Sequence, residues 1–320
     1  SKGWKRQGPA TADFEAKNCL TDFARESRTF IKSALKGKSP FLLYLPLTSP
    51  HTPIVPSRQW QGKSPLGKYG DFVMETDWVV GEVMKELAEQ QVARNTIFLF
   101  TTDNGCSPAA DIPKLVSHGH KPNADWRGHK ADIYEGGHRV PFLVRWPERV
   151  KPNSSCNLTV CTTDFFATVA DILGVRGRQF PQNAAEDSFS FLSALDQPDR
   201  STPLRPYTIH HSINGSFAIR KGPWKLCLCP GSGGWSSPRP NIALKDKSLP
   251  PIQLFNLDTD PAEKTNLQAE QPDIVRDLVD DLYHAIRHGR SNSGLVAENE
   301  GWPGTFPSPV LKLFPQFAGK

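Results

Sequence analysis

Four side chains in this sequence are of types that handle anions and metal ions. Asp103 and Asn104, within Thr-Thr-Asp-Asn-Gly, set a carboxylate beside an amide carbonyl. Such hard oxygen donors suit calcium or magnesium. Asp-Asn-Gly also favours turns, so both readings stand on composition alone. His51 lies in Ser-Pro-His-Thr-Pro, where a proline on either side holds the loop extended. Such a loop positions a side chain well, although the residue could equally be a capping or core histidine. Lys130, in Gly-His-Lys-Ala-Asp, has no carboxylate at helical spacing. Facing an anion, its ammonium would stabilise charge on a leaving oxygen or on a sulfate or phosphate oxygen; otherwise it is a solvated surface lysine.

The elements around these residues decide whether they can meet. Two continuous apolar runs, PFLLYLPL (40–47) and NTIFLFTT (95–102), flank an amphipathic helical pattern from Asp71 to Gln91. Strand, helix, strand with both strands apolar throughout predicts a parallel sheet covered by helices. Ligands gather beyond the carboxyl ends of such strands. The residues there are Thr48–His51 and Asp103–Gly105. A loose helical pattern over 20–36 precedes the first run; a polar loop (105–138), a third strand VPFLVRW (140–146) and a helix within TDFFATVADILG (163–174) follow the second. Residues 197–206 read as a domain edge. Beyond it PYTIHHS, SFAIRKG, WKLCLCP and IQLFNLD predict an antiparallel sheet, and Asp273–His288 a helix. The predicted fold class is α/β: a mostly parallel or mixed central sheet flanked by helices, with a smaller C-terminal antiparallel sheet plus helix. The expected domains are 1–200, 201–290 and an irregular tail, 291–320.

The chain has 320 residues and a net charge of +5, from 38 Lys and Arg against 33 Asp and Glu. The positives are scattered, which argues against a nucleic-acid partner. No apolar run is long enough to span a membrane. The first residues, SKGWKRQGPA, lack a signal peptide and an initiating Met, and read as a cut through a longer protein. Six cysteines include no Cys-x-x-Cys pair. Cys156 and Cys161 are close enough to bridge, whereas Cys227 and Cys229 on a strand would point the same way. Asn153, Asn157 and Asn214 head glycosylation sequons.

Taken in order, SPHTP (49–53), FTTDNG (100–105), GHKADIYEGGHRVP (128–141), TDFFATVADILG (163–174), AIRKGPWKL (218–226) and LFNLDTDPAEKTNL (254–267) resemble the type I, arylsulfatase-like sulfatases of the alkaline phosphatase superfamily. The resemblance runs from about Phe41 to about His288. It implies a sulfuric ester hydrolase acting on an aryl sulfate or a sulfated carbohydrate, either small molecule or polysaccharide. In that scheme Asp103 and Asn104 hold calcium, or magnesium, against the substrate. Lys130 and His51 contact the sulfate, and His51 helps protonate the leaving alcohol. A secreted, periplasmic or lysosomal location is implied as well.

The family nucleophile is a formylglycine made from Cys or Ser in Cys/Ser-x-Pro-x-Arg, upstream of all these motifs. Cys106-Ser107-Pro108 imitates it, but Ala110 stands where the arginine belongs. The nucleophile and its Asp-Asp metal ligands are therefore expected ahead of Ser1, and the 320 residues alone are expected to be inactive. Asp125, Trp126 and His120 are candidates for sugar or aryl contacts. One alternative is a phosphodiesterase or phosphonate hydrolase with His118, His120, His129 and His138 as zinc ligands. Another is a sulfate- or glycan-binding protein without catalysis.

Overall fold

In the first half, apolar spacing makes the helices. Phe72, Val79, Val83 and Leu87 recur on one face of helix α2, Gly67–Glu89, and are buried. The helix starts earlier than the expected Asp71 and ends at Gln90–Gln91, where Gln91 takes a φ of 60°. Helix α1, Cys19–Ala34, packs Leu20 and Ala24 against Phe72 and Val79. Arg28 of α1 reaches the buried Glu86 of α2 at 2.8 Å. A short helix α3, Ile112–Ser117, belongs to the same compact unit: Ser1–Ile97, Ala109–His120 and Trp146–Glu148.

The computed structural model describes residues 8–9, 11–37, 39–175, 183–298 and 306–318. The run 40–47 carries no regular element and makes no ladder among them. Its side chains alternate as a strand's do. Leu45 and Leu47 join the α1–α2 core, while Leu42 and Tyr44 are 66% and 82% exposed. The period of two is present; a paired edge is what a strand needs beyond it.

The second unit comprises Phe98–Pro108, Lys121–Arg145 and Arg149–Lys320. Strands β1, Phe98–Thr101, and β2, Phe142–Arg145, fall within predicted runs but pair antiparallel, from Phe98↔Arg145 to Thr101↔Phe142. An antiparallel pair is compatible with the expected mixed sheet; the run 40–47, expected as the parallel neighbour of 95–102, makes no ladder among the described residues. The chain leaves β1 and returns through 102–141, so its direction at β2 is reversed. The unit's helices are α4 (Glu135–His138), α5 (Asp164–Ile172), α6 (Leu192–Asp196), α7 (Pro240–Ala243), α8 (Pro272–His288) and α9 (Ser308–Leu313).

Strands β3 (Thr208–His211), β4 (Phe217–Lys221), β5 (Trp224–Cys227) and β6 (Gln253–Asn256) form an antiparallel sheet in that order, as the alternating runs predicted. Alternation gives the sheet two buried faces. Ile219, Leu226 and Leu254 meet Leu278, Val279 and Leu282 of α8. Ala218, Cys227 and Phe255 meet Ile133 and Tyr134 on the other side. Lys225, between Trp224 and Leu226, must share that second face. The expected tail is irregular; 299–305 and 319–320 lie outside the described residues. Within them Val310 of α9 and Phe306 are buried against the α8 core, which is why the segment is helical.

Candidate functional site

The Asp103 turn and the Lys130 loop are sewn together by backbone hydrogen bonds. Lys130 N–H donates to Cys106 O at 3.1 Å, and Gly105 N–H to Gly137 O at 3.0 Å. Cys106 N–H donates to Asn123 Oδ1 at 2.8 Å, and Asn123 Nδ2 to Gly128 O at 3.2 Å. The approach is close enough to dictate residue type. A Cβ on Gly105 would run into Gly136 O, and a Cβ on Gly136 into the carbonyls of Arg127 and Gly128. Asp-Asn-Gly and Glu-Gly-Gly are thus two sides of one backbone junction. Cys106 is part of its stitching.

Asp103 is exposed and Asn104 half-buried. Asn104 Nδ2 donates to Gly105 O at 3.1 Å, which commits its nitrogen locally and leaves Oδ1 for a cation. A carboxylate and an amide oxygen fit calcium or magnesium. Calcium takes about six to eight oxygens, so these two would supply only part of a shell. Among the described residues no group of three or more His, Cys, Asp or Glu could hold a metal ion. The zinc reading therefore gains no ligand set. His129 makes contacts to Lys130 O (2.9 Å) and Ser236 Oγ (3.1 Å), while His138 stacks on His210 with ring centroids 4.1 Å apart. His118 and His120 lie in the first unit.

His51 also belongs to the first unit, exposed, with Nδ1 2.8 Å from Thr52 O. Its loop is held by α2. Glu75 accepts the Ser57 N–H at 2.8 Å, and Asp71 accepts those of Gly62 (2.8 Å) and Ser64 (2.7 Å). Both carboxylates are buried.

Lys130 stands on a loop anchored from below by charge. Lys225 is 0% exposed, with Nζ 3.0 Å from Glu135 Oε1 and 2.9 Å from Glu263 Oε1. Glu263 Oε2 also accepts the Glu135 N–H at 2.7 Å, and Arg127 donates to Glu263 O at 2.6 Å. Burial alone would lift the Glu135 carboxyl, but Lys225, Arg220 and Arg139 outweigh it and hold it below its ordinary range. At Glu263 burial wins over Lys225, and its carboxyl is pushed up. The Lys225 ammonium is pushed up by the two carboxylates despite its burial. Burial likewise pushes up the Tyr134 hydroxyl, which donates to Gln253 Oε1 at 3.0 Å.

Sequence reasoning missed this triad, although Glu135, Lys225 and Glu263 all lie inside quoted motifs. The available signal was a lysine inside an apolar strand buried on both faces, which requires a counter-charge. Of the proposed sugar contacts, Trp126 carries the Arg139 guanidinium 4.0 Å over its ring, and the exposed Asp125 is paired with Lys121 at 2.7 Å. Cys156 and Cys161 are free thiols.

The sulfatase family model matches residues 7–175. An N-acetylgalactosamine-6-O-sulfatase of Bacteroides thetaiotaomicron is 35% identical over 286 residues, 86% of this chain and 52% of that protein. Human steryl-sulfatase is 37% identical over 303 residues, 86% of this chain and 49% of that protein. A solved structure from work on glycosaminoglycan metabolism by Bacteroides thetaiotaomicron matches with a TM-score of 0.73 and 33% identity, over 85% of this chain and 55% of that one. Another, in complex with a neocarrahexaose, matches at TM-score 0.67 over 93% of this chain and 60% of that one; its 24% identity speaks for the fold alone. These neighbours give the chain the α/β, alkaline phosphatase-like architecture with its antiparallel subdomain. The chain spans about half the length of the curated relatives it matches. A family model covering more than half the sequence, on top of the joined Asp-Asn-Gly and Lys-loop motifs, makes this chain a member of the sulfatase family.

Proposed function

We propose that the protein carrying this chain hydrolyses sulfate esters of carbohydrates, and that Asp103, Asn104 and Lys130 serve the sulfate, a task the family resemblance also gives to His51. The observation that carries the reading is the 3.1 Å bond from Lys130 N–H to Cys106 O, which ties the lysine beside the Asp-Asn-Gly turn. Lys130 binds the anionic oxygens of the ester as a point charge, and the junction of glycines keeps it from drifting. Asp103 and Asn104 would hold calcium, which when bound draws negative charge from the sulfate oxygens. His51 gives a proton to the departing sugar oxygen, a task suited to imidazole near neutral pH. The nucleophile, by family resemblance, is a formylglycine from a Cys/Ser-x-Pro-x-Arg element; Cys106, with Ala110 behind it, is not that element. A secreted, periplasmic or lysosomal setting belongs to the same reading.

The sulfate subsite can be tested on the chain itself by calorimetric titration with methyl sulfate in calcium buffer. Binding is expected, weakened by Lys130→Ala and by Asp103→Ala, with the second effect disappearing when calcium is chelated. In the full-length protein Lys130→Ala should lower kcat/KM for a carbohydrate sulfate by about a hundredfold or more. Methyl sulfate affinity and turnover both unchanged by Lys130→Ala would sink the proposal.

A further inference from the structure

The loop between β5 and α7 is fixed to the Lys130 loop through Ser232 and Gly234–Ser236. Ile133 N–H donates to Ser232 O at 2.8 Å. A Cβ on Gly234 would collide with Ala131 O, so the two backbones touch there. The fully buried Asp132 collects the rest. Its Oδ1 accepts the N–H groups of Trp235 (2.8 Å) and Ser236 (2.9 Å), and its Oδ2 accepts His129 N–H (2.9 Å) and the Ser236 hydroxyl. Ser236 Oγ also lies 3.1 Å from His129 Nε2. On the far side Arg239 Nε donates to Trp235 O at 3.1 Å.

His129 and Asp132 bracket Lys130 in sequence, so the segment Gly234–Ser236 is held against both flanks of the lysine. Amid this fixed backbone one large side chain is left out: the Trp235 indole is 40% exposed. Tryptophan is ordinarily highly buried, and an exposed one on a backbone this constrained presents a rigid apolar plate. Trp126, the aromatic candidate read from sequence, has a guanidinium over its ring. A pyranose offers a complementary surface, since its axial C–H groups form an apolar face that rests on an aromatic ring while its hydroxyls stay wet.

We propose that Trp235 is a specificity-determining residue, the platform on which the pyranose ring of a sulfated sugar stacks while its sulfate lies at Lys130. This rests on the sulfate reading of Lys130 and adds to it the side of the pocket that recognises the sugar. Asp132 is a positioning residue, acting through the Trp235 and Ser236 backbone.

The test compares the full 320-residue chain with Trp235→Ala and Trp235→Phe in calcium buffer. Methyl sulfate serves as an ester with no ring, and the 6-sulfates of N-acetylgalactosamine and N-acetylglucosamine as pyranose esters. The wild type should bind at least one sugar sulfate more tightly than methyl sulfate. Trp235→Ala should weaken that sugar sulfate about tenfold, the worth of one stacking contact, and leave methyl sulfate within about twofold. Trp235→Phe, which keeps a ring, should retain most of the affinity. Trp235→Phe should melt close to the wild type, while Trp235→Ala, which also loses the covered part of the indole, should melt somewhat lower and is judged by its unchanged methyl sulfate affinity.

Methyl sulfate binding that depends on Lys130, with sugar sulfates bound no better or unaffected by Trp235→Ala, overturns the platform alone. Equal losses for methyl sulfate and sugar sulfate overturn it too, since they report a general disturbance of the loop. Sugar binding without any dependence on Lys130 overturns the sulfate reading, and no binding of either ligand overturns both.

Discussion

Each unit uses buried carboxylates to hold a loop that carries a candidate site residue, but they answer the carboxylate differently. In the α1–α2 unit, Asp71 and Glu75 face backbone N–H groups of Ser57, Gly62 and Ser64. In the sheet unit, Glu135 and Glu263 face the buried ammonium of Lys225. Amide donors are already part of the loop, so that clamp consumes no second side chain and tolerates the loss of one bond. An ion triad ties three separate stretches of sequence, and removing its lysine takes a buried counter-charge from both carboxylates at once. The first device is local and forgiving; the second is long-range and unforgiving.

The largest expected effect is therefore Lys225→Met, which leaves the buried Glu263 without its cation and Glu135 with only Arg220 and Arg139 at 3.5 and 3.7 Å, and should cost about 3–5 kcal/mol in urea unfolding of the chain. The triple variant Glu135→Gln, Lys225→Met, Glu263→Gln contains no stranded charge and should recover most of the loss. If the single variant unfolds no more easily than wild type, the triad is not what holds the Lys130 loop.

Acid should expose the same neighbourhood next. Burial first, and then Lys225, push His138 down to about 4; burial, and then the stacked His138, push His210 well down too. An unfolded histidine takes its proton near pH 6.5, so on acidification the unfolded chain is protonated first. The contribution is complete above about pH 6.5 and drains away as pH falls toward 4, for a loss of about 3 kcal/mol from His138. Glu135, held low, adds a loss in the same direction at still lower pH, and Glu263, held high, works against it. Comparing wild type with His138→Gln isolates the histidine. The stability slope between pH 6.5 and 4 should flatten in the variant, and parallel slopes would remove His138 as its source.

These contrasts mark what could be read from residue order. Period-two alternation gave β3 to β6 their positions, and helical spacing gave α2 and α8, because both patterns report burial by the chain's own neighbours. The continuous apolar run 40–47 announced a strand without announcing a partner, and the antiparallel return of Phe142 onto Thr101 has no local signature at all. Asp103, Asn104 and Lys130 were visible through motif order. That Gly105 and Gly136 press together, and that Trp235 is pinned by Asp132, depends on residues far apart in sequence. Only a folded backbone brings them within hydrogen-bond range.

The α2 clamp supplies the smallest effects and the sharpest test of the contrast. Glu75→Ala removes the acceptor for the buried Ser57 N–H and should cost about 1–3 kcal/mol. Asp71→Asn keeps one carbonyl oxygen, so it can still accept from Gly62 or Ser64 but not from both in the present geometry. A loss of about 1 kcal/mol is expected, the net worth of a single hydrogen bond. Faster amide exchange should be confined to Gly62 and Ser64. His51 rides on that loop, so the variant should loosen its surroundings without unfolding α2. A loss matching Lys225→Met would show that a carboxylate satisfied by amides is as unforgiving as an ion triad, and would erase the distinction between the two regions.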